Sequence, residues 1–140
     1  MSPPPLARAL GLAGLAPQVA VIFVLFQNDP ATRYTALTLG YCYAALILSF
    51  LGGVWWGLAA RAEETPAWLW VAAVIPSLVA LAAFPWGFTT SLIVLGTALI
   101  AALGVDWRLA RTGLAPPWWM SLRVPLSLGL GGLTITSALL

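Results

Sequence analysis

Four charged side chains lie close together in the C-terminal part of the chain: Asp106, Arg108, Arg111 and Arg123. A carboxylate can hold a guanidinium in a fixed orientation, and a guanidinium held in this way can bind a phosphate or another ligand oxygen. We therefore expect Asp106 to pair with Arg123. Two roles are open for the pair: a salt bridge that anchors a helix end, or a site in which Arg123 binds a lipid phosphate or a ligand oxygen while Asp106 positions it.

The sequence offers little other chemistry. It contains no His and a single Cys, Cys42, which excludes a His/Cys zinc site, a Cys–His nucleophile and haem ligation by His. A lone carboxylate without a second titrating group is also a poor proton relay. We expect no catalytic residues, no metal site and no enzymatic activity, and the sequence identifies no cofactor. A net charge of +2 does not predict nucleic-acid binding.

The composition predicts an integral membrane protein. Of the 140 residues, 61% are hydrophobic and 7% are charged, and the mean hydropathy is +0.98, whereas soluble domains have roughly 25% charged residues. Five apolar stretches approach the ~20 residues that a membrane-spanning helix needs, at about 10–26, 36–60, 67–84, 88–105 and 118–140. The fold class is therefore all-α: one domain over 1–140, a bundle of five transmembrane helices.

The connections between the five stretches are predicted to be turns or short loops, and none is long enough to be a separate domain. The segment from Asp106 to Pro117 is expected to be a loop that closes with two prolines. The first stretch is expected to be a retained helix rather than a cleaved signal peptide, because no small-x-small cleavage site follows Phe26.

The arginines predict the orientation of the bundle. If the chain has five spans, five arginines lie on the side of the N-terminus: Arg8, Arg61, Arg108, Arg111 and Arg123. The opposite side carries only Arg33. Because cytoplasmic loops are enriched in basic residues, we expect the N-terminus to be cytoplasmic and the C-terminus to be outside. The expected location is a bacterial inner (plasma) membrane, or the mitochondrial inner membrane if the protein is eukaryotic.

Prolines and small residues predict how the helices bend and pack. Pro17, Pro76 and Pro125 lie inside spans and should kink them. In the second span, Ser49, Gly53 and Gly57 recur every four residues, with Gly52 beside them, and Gly53 to Gly57 forms a GxxxG motif. Such faces let two helix backbones approach closely in a bilayer. The partner is either another helix of this chain or a second polypeptide.

Seven of the eight tryptophans fall on the arginine-bearing side, and Trp86 stands alone on the other. An aromatic belt at the headgroup level explains such a distribution. The alternative is an inward-facing pocket for a flat lipophilic molecule such as a quinone, a porphyrin or a lipid headgroup. The candidate residues for such a site are Trp55, Trp56, Trp118, Trp119, Asp106 and Arg123.

Two segments resemble a known family. Residues 47–59, Ile-Leu-Ser-Phe-Leu-Gly-Gly-Val-Trp-Trp-Gly-Leu-Ala, and residues 116–127, Pro-Pro-Trp-Trp-Met-Ser-Leu-Arg-Val-Pro-Leu-Ser, are similar to motifs of a family of small, uncharacterised membrane proteins. Its bacterial members are catalogued as a domain of unknown function, and it includes the mitochondrial transmembrane protein 69. The resemblance covers nearly the whole chain and implies a five-helix inner-membrane protein without an established activity.

Two functions from different classes follow from these features. The first is a non-enzymatic accessory or assembly subunit that packs through its small-residue helix faces against other membrane subunits or a second copy of itself. The alternative is a binder or carrier of a small lipophilic ligand in the Trp-rich region. In both, membrane lipids are partners and nucleic acid is not.

Overall fold

The computed structural model describes residues 2–140, which form an all-helical bundle. Its helices are α1 (Pro5–Ala13), α2 (Ala16–Leu25), α3 (Pro30–Arg61), α4 (Ala67–Ala83), α5 (Phe88–Arg111) and α6 (Trp119–Leu139), and a 3₁₀ turn, Phe84–Trp86, joins α4 to α5. In these residues, five helical segments are long and apolar enough to cross a membrane. The predicted all-α, five-span architecture is confirmed.

The first span, Pro5–Leu25, is interrupted near its middle. The chain turns at Gly14 and Leu15, which separate α1 from α2. Pro17 lies in the first turn of α2, where a backbone N–H would have no helical partner and a proline costs little. Pro17 thus lies inside the first span, directly after the turn at which its helix is interrupted, and Pro76 and Pro125 lie inside α4 and α6.

Two helices are longer than expected. The second span begins at Pro30 rather than near residue 36, because the side chain of Asp29 accepts a hydrogen bond from the N–H of Thr32 and caps the helix. The fourth span continues past residue 105 to Arg111. Asp106 is thus a helical residue, and the expected loop starts only near Gly113, whose φ of +80° favours glycine.

Close contacts between small residues hold α5 against α6 and α3 against α4. A Cβ atom added to Gly96 would lie 2.8 Å from the carbonyl oxygen of Gly131, and one added to Gly131 would lie 2.8 Å from that of Gly96. A Cβ atom on Gly52 would collide with the carbonyl oxygen of Ala73. These positions let the helix backbones approach as closely as they do.

The face of α3 that contains Gly53 and Gly57 is open. Both glycines are exposed, and within residues 2–140 no neighbouring element has an atom within 4 Å of a Cβ placed on either. The buried face of α3 instead contains Leu48, Gly52 and Trp55, and Gly53 points about 100° away from Gly52. Packing of this GxxxG motif against another helix of the chain is therefore wrong, and Ser49 is only half-buried.

Candidate functional site

Asp106 is the centre of a buried polar cluster. Its side chain, 0% exposed, accepts three hydrogen bonds from two other helices. The indole N–H groups of Trp55 and Trp119 donate to Oδ1 over 2.9 and 3.0 Å, and Nε of Arg123 donates to Oδ2 over 2.9 Å. A buried carboxylate needs such donors because burial removes its hydration.

Arg123 is held in one orientation by this cluster. Its Nε pairs with Asp106, and its Nη2 donates to the hydroxyl of Ser127, one turn further along α6, over 2.7 Å. Arg123 is 7% exposed, so both members of the ion pair are buried. The expected pairing of Asp106 with Arg123 is present, and it joins α5 to α6 inside the bundle rather than across a surface loop.

Local sequence patterns explain why these side chains meet. Along α5 the buried positions recur every three to four residues and include Leu99, Ala102, Asp106 and Leu109, so Asp106 continues an apolar stripe. Trp55 lies on the buried face of α3. A carboxylate in register with an apolar helix face is the signal in the sequence that marks Asp106 as a buried residue.

A cavity of about 320 Å³ lies beside Arg123 and is bounded mainly by α1, α3 and α6. Arg123, Ser127 and Trp119 form its polar wall, and the rest is largely apolar, including Ala7, Leu10, Ile47, Phe50, Val54, Leu122 and Leu126. Phe50 is 66% exposed, so the cavity reaches the lipid-facing surface of the bundle. Because Phe50 lies well inside α3 rather than at one of its ends, this open side would face the bilayer.

The α1 wall of the cavity is loosely attached. No residue of α1 is buried. It packs against α6 at Gly11, where an added Cβ would lie 2.8 Å from a methyl carbon of Leu126. At the end of α1 the hydroxyl of Tyr43 donates to the carbonyl oxygen of Gly14. Helix α1 is thus fixed at its C-terminal end and lightly packed along the rest of its length.

The four candidate tryptophans do not form a single pocket. Trp55 and Trp119 reach Asp106, and Trp119 also lines the cavity. Trp56 is 49% exposed and meets Trp70 edge-on, with ring centroids 4.7 Å apart. Trp118 is half-buried, lies tilted against Trp119 and does not line the cavity.

Arg108 and Arg111 lie apart from the buried pair. The guanidinium of Arg108 stands over the ring of Trp68 at 4.7 Å, and that of Arg111 over the ring of Trp107 at 5.0 Å. Both contacts are cation–π interactions at the arginine-bearing end of the bundle. The expected four-charge cluster therefore divides into an inner ion pair and two outer arginines.

Gln18 is a buried polar residue outside the site that the sequence predicts. It is 1% exposed, and its Nε2 donates to the carbonyl oxygen of Gly40 over 3.1 Å and to the hydroxyl of Thr134 over 2.9 Å. Gln18 thereby joins α2 to α3 and α6. The signal was a lone amide within an apolar span, directly after Pro17.

The described residues hold no candidate metal centre. Within residues 2–140, no group of three or more His, Cys, Asp or Glu side chains could hold a metal ion. What the cluster can do chemically is donate hydrogen bonds from a positioned guanidinium into an apolar cavity.

The fold and this buried cluster define a polytopic α-helical membrane protein. Residues 3–139 match the family described as "Protein of unknown function (DUF3429)", and the chain belongs to this family. It is 36% identical over 128 residues to "Transmembrane protein 69" of Xenopus tropicalis. The match covers 86% of this chain and 49% of the relative, so the chain spans about half the length of that relative. No solved structure matches the chain.

Proposed function

We propose that this protein is a non-enzymatic binder of a small lipophilic molecule, which enters the cavity between α1, α3 and α6 from the bilayer. One observation carries the proposal: the apolar cavity of about 320 Å³ has a positioned guanidinium, that of Arg123, in its wall. Binding sites for small molecules are typically apolar, with a small number of polar groups that fix the orientation of the ligand.

The size of the cavity restricts the candidate ligands. Its volume lies at the lower end of the roughly 300–1,000 Å³ that is typical of ligand pockets. A single ring or a short acyl segment fits such a space better than a macrocycle does. A quinone head or a lipid is therefore a better candidate than a porphyrin, and the rest of the molecule would extend through the lateral mouth beside Phe50 into the lipid.

The rigidity of the polar wall also supports a binding role. Arg123 is fixed by hydrogen bonds to Asp106 and Ser127, and Asp106 is fixed by Trp55 and Trp119. A donor that is already ordered loses little side-chain entropy when a ligand binds.

A pair of α1 variants tests the proposal. Ala7 lines the cavity, whereas Ala9 is an exposed residue of the same helix outside it. We expect Ala7→Trp to fill the cavity and Ala9→Trp to leave it open. Native mass spectrometry of gently solubilised protein should detect a bound small molecule in the wild type and in Ala9→Trp, with much lower occupancy in Ala7→Trp. Equal occupancy in both variants, or no bound molecule in the wild type, would refute the proposal.

A second candidate function is that of an accessory or assembly subunit. The observation that favours it is the open GxxxG face of α3, where Gly53 and Gly57 are exposed and unpacked within the described chain. A second helix could approach this face closely. We expect Gly53→Leu to abolish chemical cross-linking to a partner helix, and Gly104→Leu, at another open helical glycine, to leave it unchanged. Identical cross-linking of the wild type and both variants would argue against this role.

We also propose that the protein resides in a bacterial inner membrane, or in the mitochondrial inner membrane of a eukaryote, with its N-terminus in the cytoplasm or matrix. The support is the excess of arginine at one end of the bundle, which contains Arg8, Arg61 and Arg111.

A further inference from the structure

We infer that the cavity selects a ligand whose head is an uncharged hydrogen-bond acceptor, such as the carbonyl of a ketone, a quinone or an ester, and discriminates against an anionic head such as a phosphate. This inference rests on the proposed binding function. A guanidinium in a membrane can bind two kinds of oxygen, a neutral carbonyl and a charged oxyanion, and the cavity would bind the first.

The charge in the wall of the cavity is already balanced. Arg123 lines the cavity, and its Nε lies 2.9 Å from a carboxylate oxygen of Asp106. None of the described residues that line the cavity is another Asp, Glu or Arg. An anion entering this space would lose its hydration without meeting a net positive charge, and burial of an uncompensated charge is strongly unfavourable.

The guanidinium still has hydrogen-bond donors to offer. It carries five N–H groups, and its hydrogen bonds within residues 2–140 use Nε and Nη2. Nη1 has no acceptor among these residues, and it is not among their buried side-chain atoms that lack a partner. Nη1 is therefore not fully buried. Because Arg123 lines the cavity, we expect a carbonyl oxygen bound there to accept a hydrogen bond from Nη1.

A cationic head fits no better than an anionic one. The attractive group for a cation would be Asp106, but this side chain is 0% exposed, does not line the cavity and already accepts three hydrogen bonds. Arg123 would instead repel the cation. The geometry therefore favours a head that accepts hydrogen bonds and carries no charge.

The test compares two photoactivatable probes that share one diazirine-bearing alkyl chain, a methyl ketone and an alkyl sulfate. The full chain is placed in phosphatidylcholine nanodiscs, and the yield of probe–protein adducts is measured. Cavity labelling of the wild type or of a variant is this yield minus the yield after Ala7→Trp is added to the same chain. We expect the ketone to label the cavity and the sulfate to label it at least about tenfold less. The reason is that the sulfate loses its hydration and meets no unbalanced positive charge in return.

A charge variant should then weaken the preference for the ketone. Asp106→Asn leaves the charge of Arg123 unbalanced and should raise sulfate labelling on the order of tenfold. Glu63→Gln makes the same change in net charge in the exposed loop after α3 and should have no effect. The double variant Asp106→Asn/Arg123→Gln is again neutral and should label with the sulfate no more than the wild type does. Raised sulfate labelling in both Asp106 variants would therefore indicate a damaged fold rather than an effect of charge.

The outcomes separate the two proposals. If neither probe labels the cavity of the wild type, the binding function itself is wrong. If the sulfate labels the wild-type cavity as well as the ketone does, the binding function stands and the inferred selectivity is wrong. A rise in sulfate labelling in Glu63→Gln equal to that in Asp106→Asn would also overturn the inference, because the effect would then be one of surface charge.

Discussion

Trp55 and Trp119 donate their indole N–H groups to the same oxygen atom, Oδ1 of Asp106, over 2.9 and 3.0 Å. The two tryptophans lie on α3 and α6, and Asp106 lies on α5, so one carboxylate joins three helices. The second oxygen of Asp106 is thereby left for Arg123. Helix packing and the proposed binding role depend on the same residue, because the contacts that join the three helices also orient the guanidinium at the cavity.

The first prediction concerns the buried ion pair. Asp106→Leu leaves Arg123 buried without its counter-charge, and removal of one member of a buried pair costs roughly 3–5 kcal/mol. We expect a large drop in the unfolding free energy, measured by titration of the detergent-solubilised protein with sodium dodecyl sulfate. The double variant Asp106→Leu/Arg123→Met removes both charges and should recover most of the loss. Equal instability of the single and double variants would contradict this account.

The second prediction separates two adjacent tryptophans. Trp55→Phe removes a hydrogen bond to a buried carboxylate and should lower the unfolding free energy by about 1.5–3 kcal/mol. Trp56→Phe removes an exposed indole N–H and should change it by at most about 0.5 kcal/mol. The same unfolding titration measures both, with Trp118→Phe and Trp119→Phe as a second pair on α6. A change of at most about 0.5 kcal/mol at both positions would contradict the role of Trp55 and would place both indoles in an aromatic belt.

A third prediction distinguishes two adjacent glycines on α3. A Cβ atom at position 52 collides with the backbone carbonyl of Ala73, so Gly52→Ala should destabilise the protein by about 1–3 kcal/mol through overpacking. Position 53 is open, so Gly53→Ala should be neutral or stabilise the helix by up to about 1 kcal/mol. Thermal unfolding in detergent measures the two shifts. Shifts of the same sign and size would mean that α3 packs through the other face.

The sequence was sufficient for the number of spans but not for the faces that the helices present. The length of each apolar stretch and the prolines and glycines between stretches define the spans directly. Which face of α3 is buried depends instead on the residues of α4 and α5 that it contacts. Gly53 and Gly57 match the GxxxG pattern, yet the close contact is made by Gly52, one residue away. The reciprocal contact between Gly96 and Gly131 involves residues on two helices, and a pattern within one helix cannot show which glycine of the other helix it meets.

The site was partly predictable for a similar reason. Asp106 and Arg123 are rare charges in apolar segments, and two such charges must pair, so their contact follows from composition. The cavity does not follow in this way, because its walls come from four helices, α1, α3, α5 and α6, whose relative placement no single segment of the sequence encodes. The sequence predicts a loop at Asp106, since the apolar stretch weakens there, but the helix continues to Arg111.

The fourth prediction concerns orientation. In a Cys42→Ser background, Gln27→Cys places a thiol in the turn before α3 and Glu64→Cys places one in the loop before α4, at opposite ends of the bundle. Because the arginine-bearing end should be cytoplasmic, a membrane-impermeant maleimide should label Gln27→Cys in intact cells. Glu64→Cys should react only after lysis. The reverse labelling pattern would place the N-terminus outside.

The most direct test of lateral ligand binding is to map where a neutral lipophilic photoprobe attaches. The photoactivatable methyl ketone is cross-linked to the protein in nanodiscs, and the adducts are located by tandem mass spectrometry. We predict adducts concentrated on cavity residues such as Ile47, Val54 and Leu122, and their loss in Ala7→Trp but not in Ala9→Trp. Adducts spread evenly over exposed residues such as Leu46 and Leu81, and unchanged in Ala7→Trp, would contradict the account.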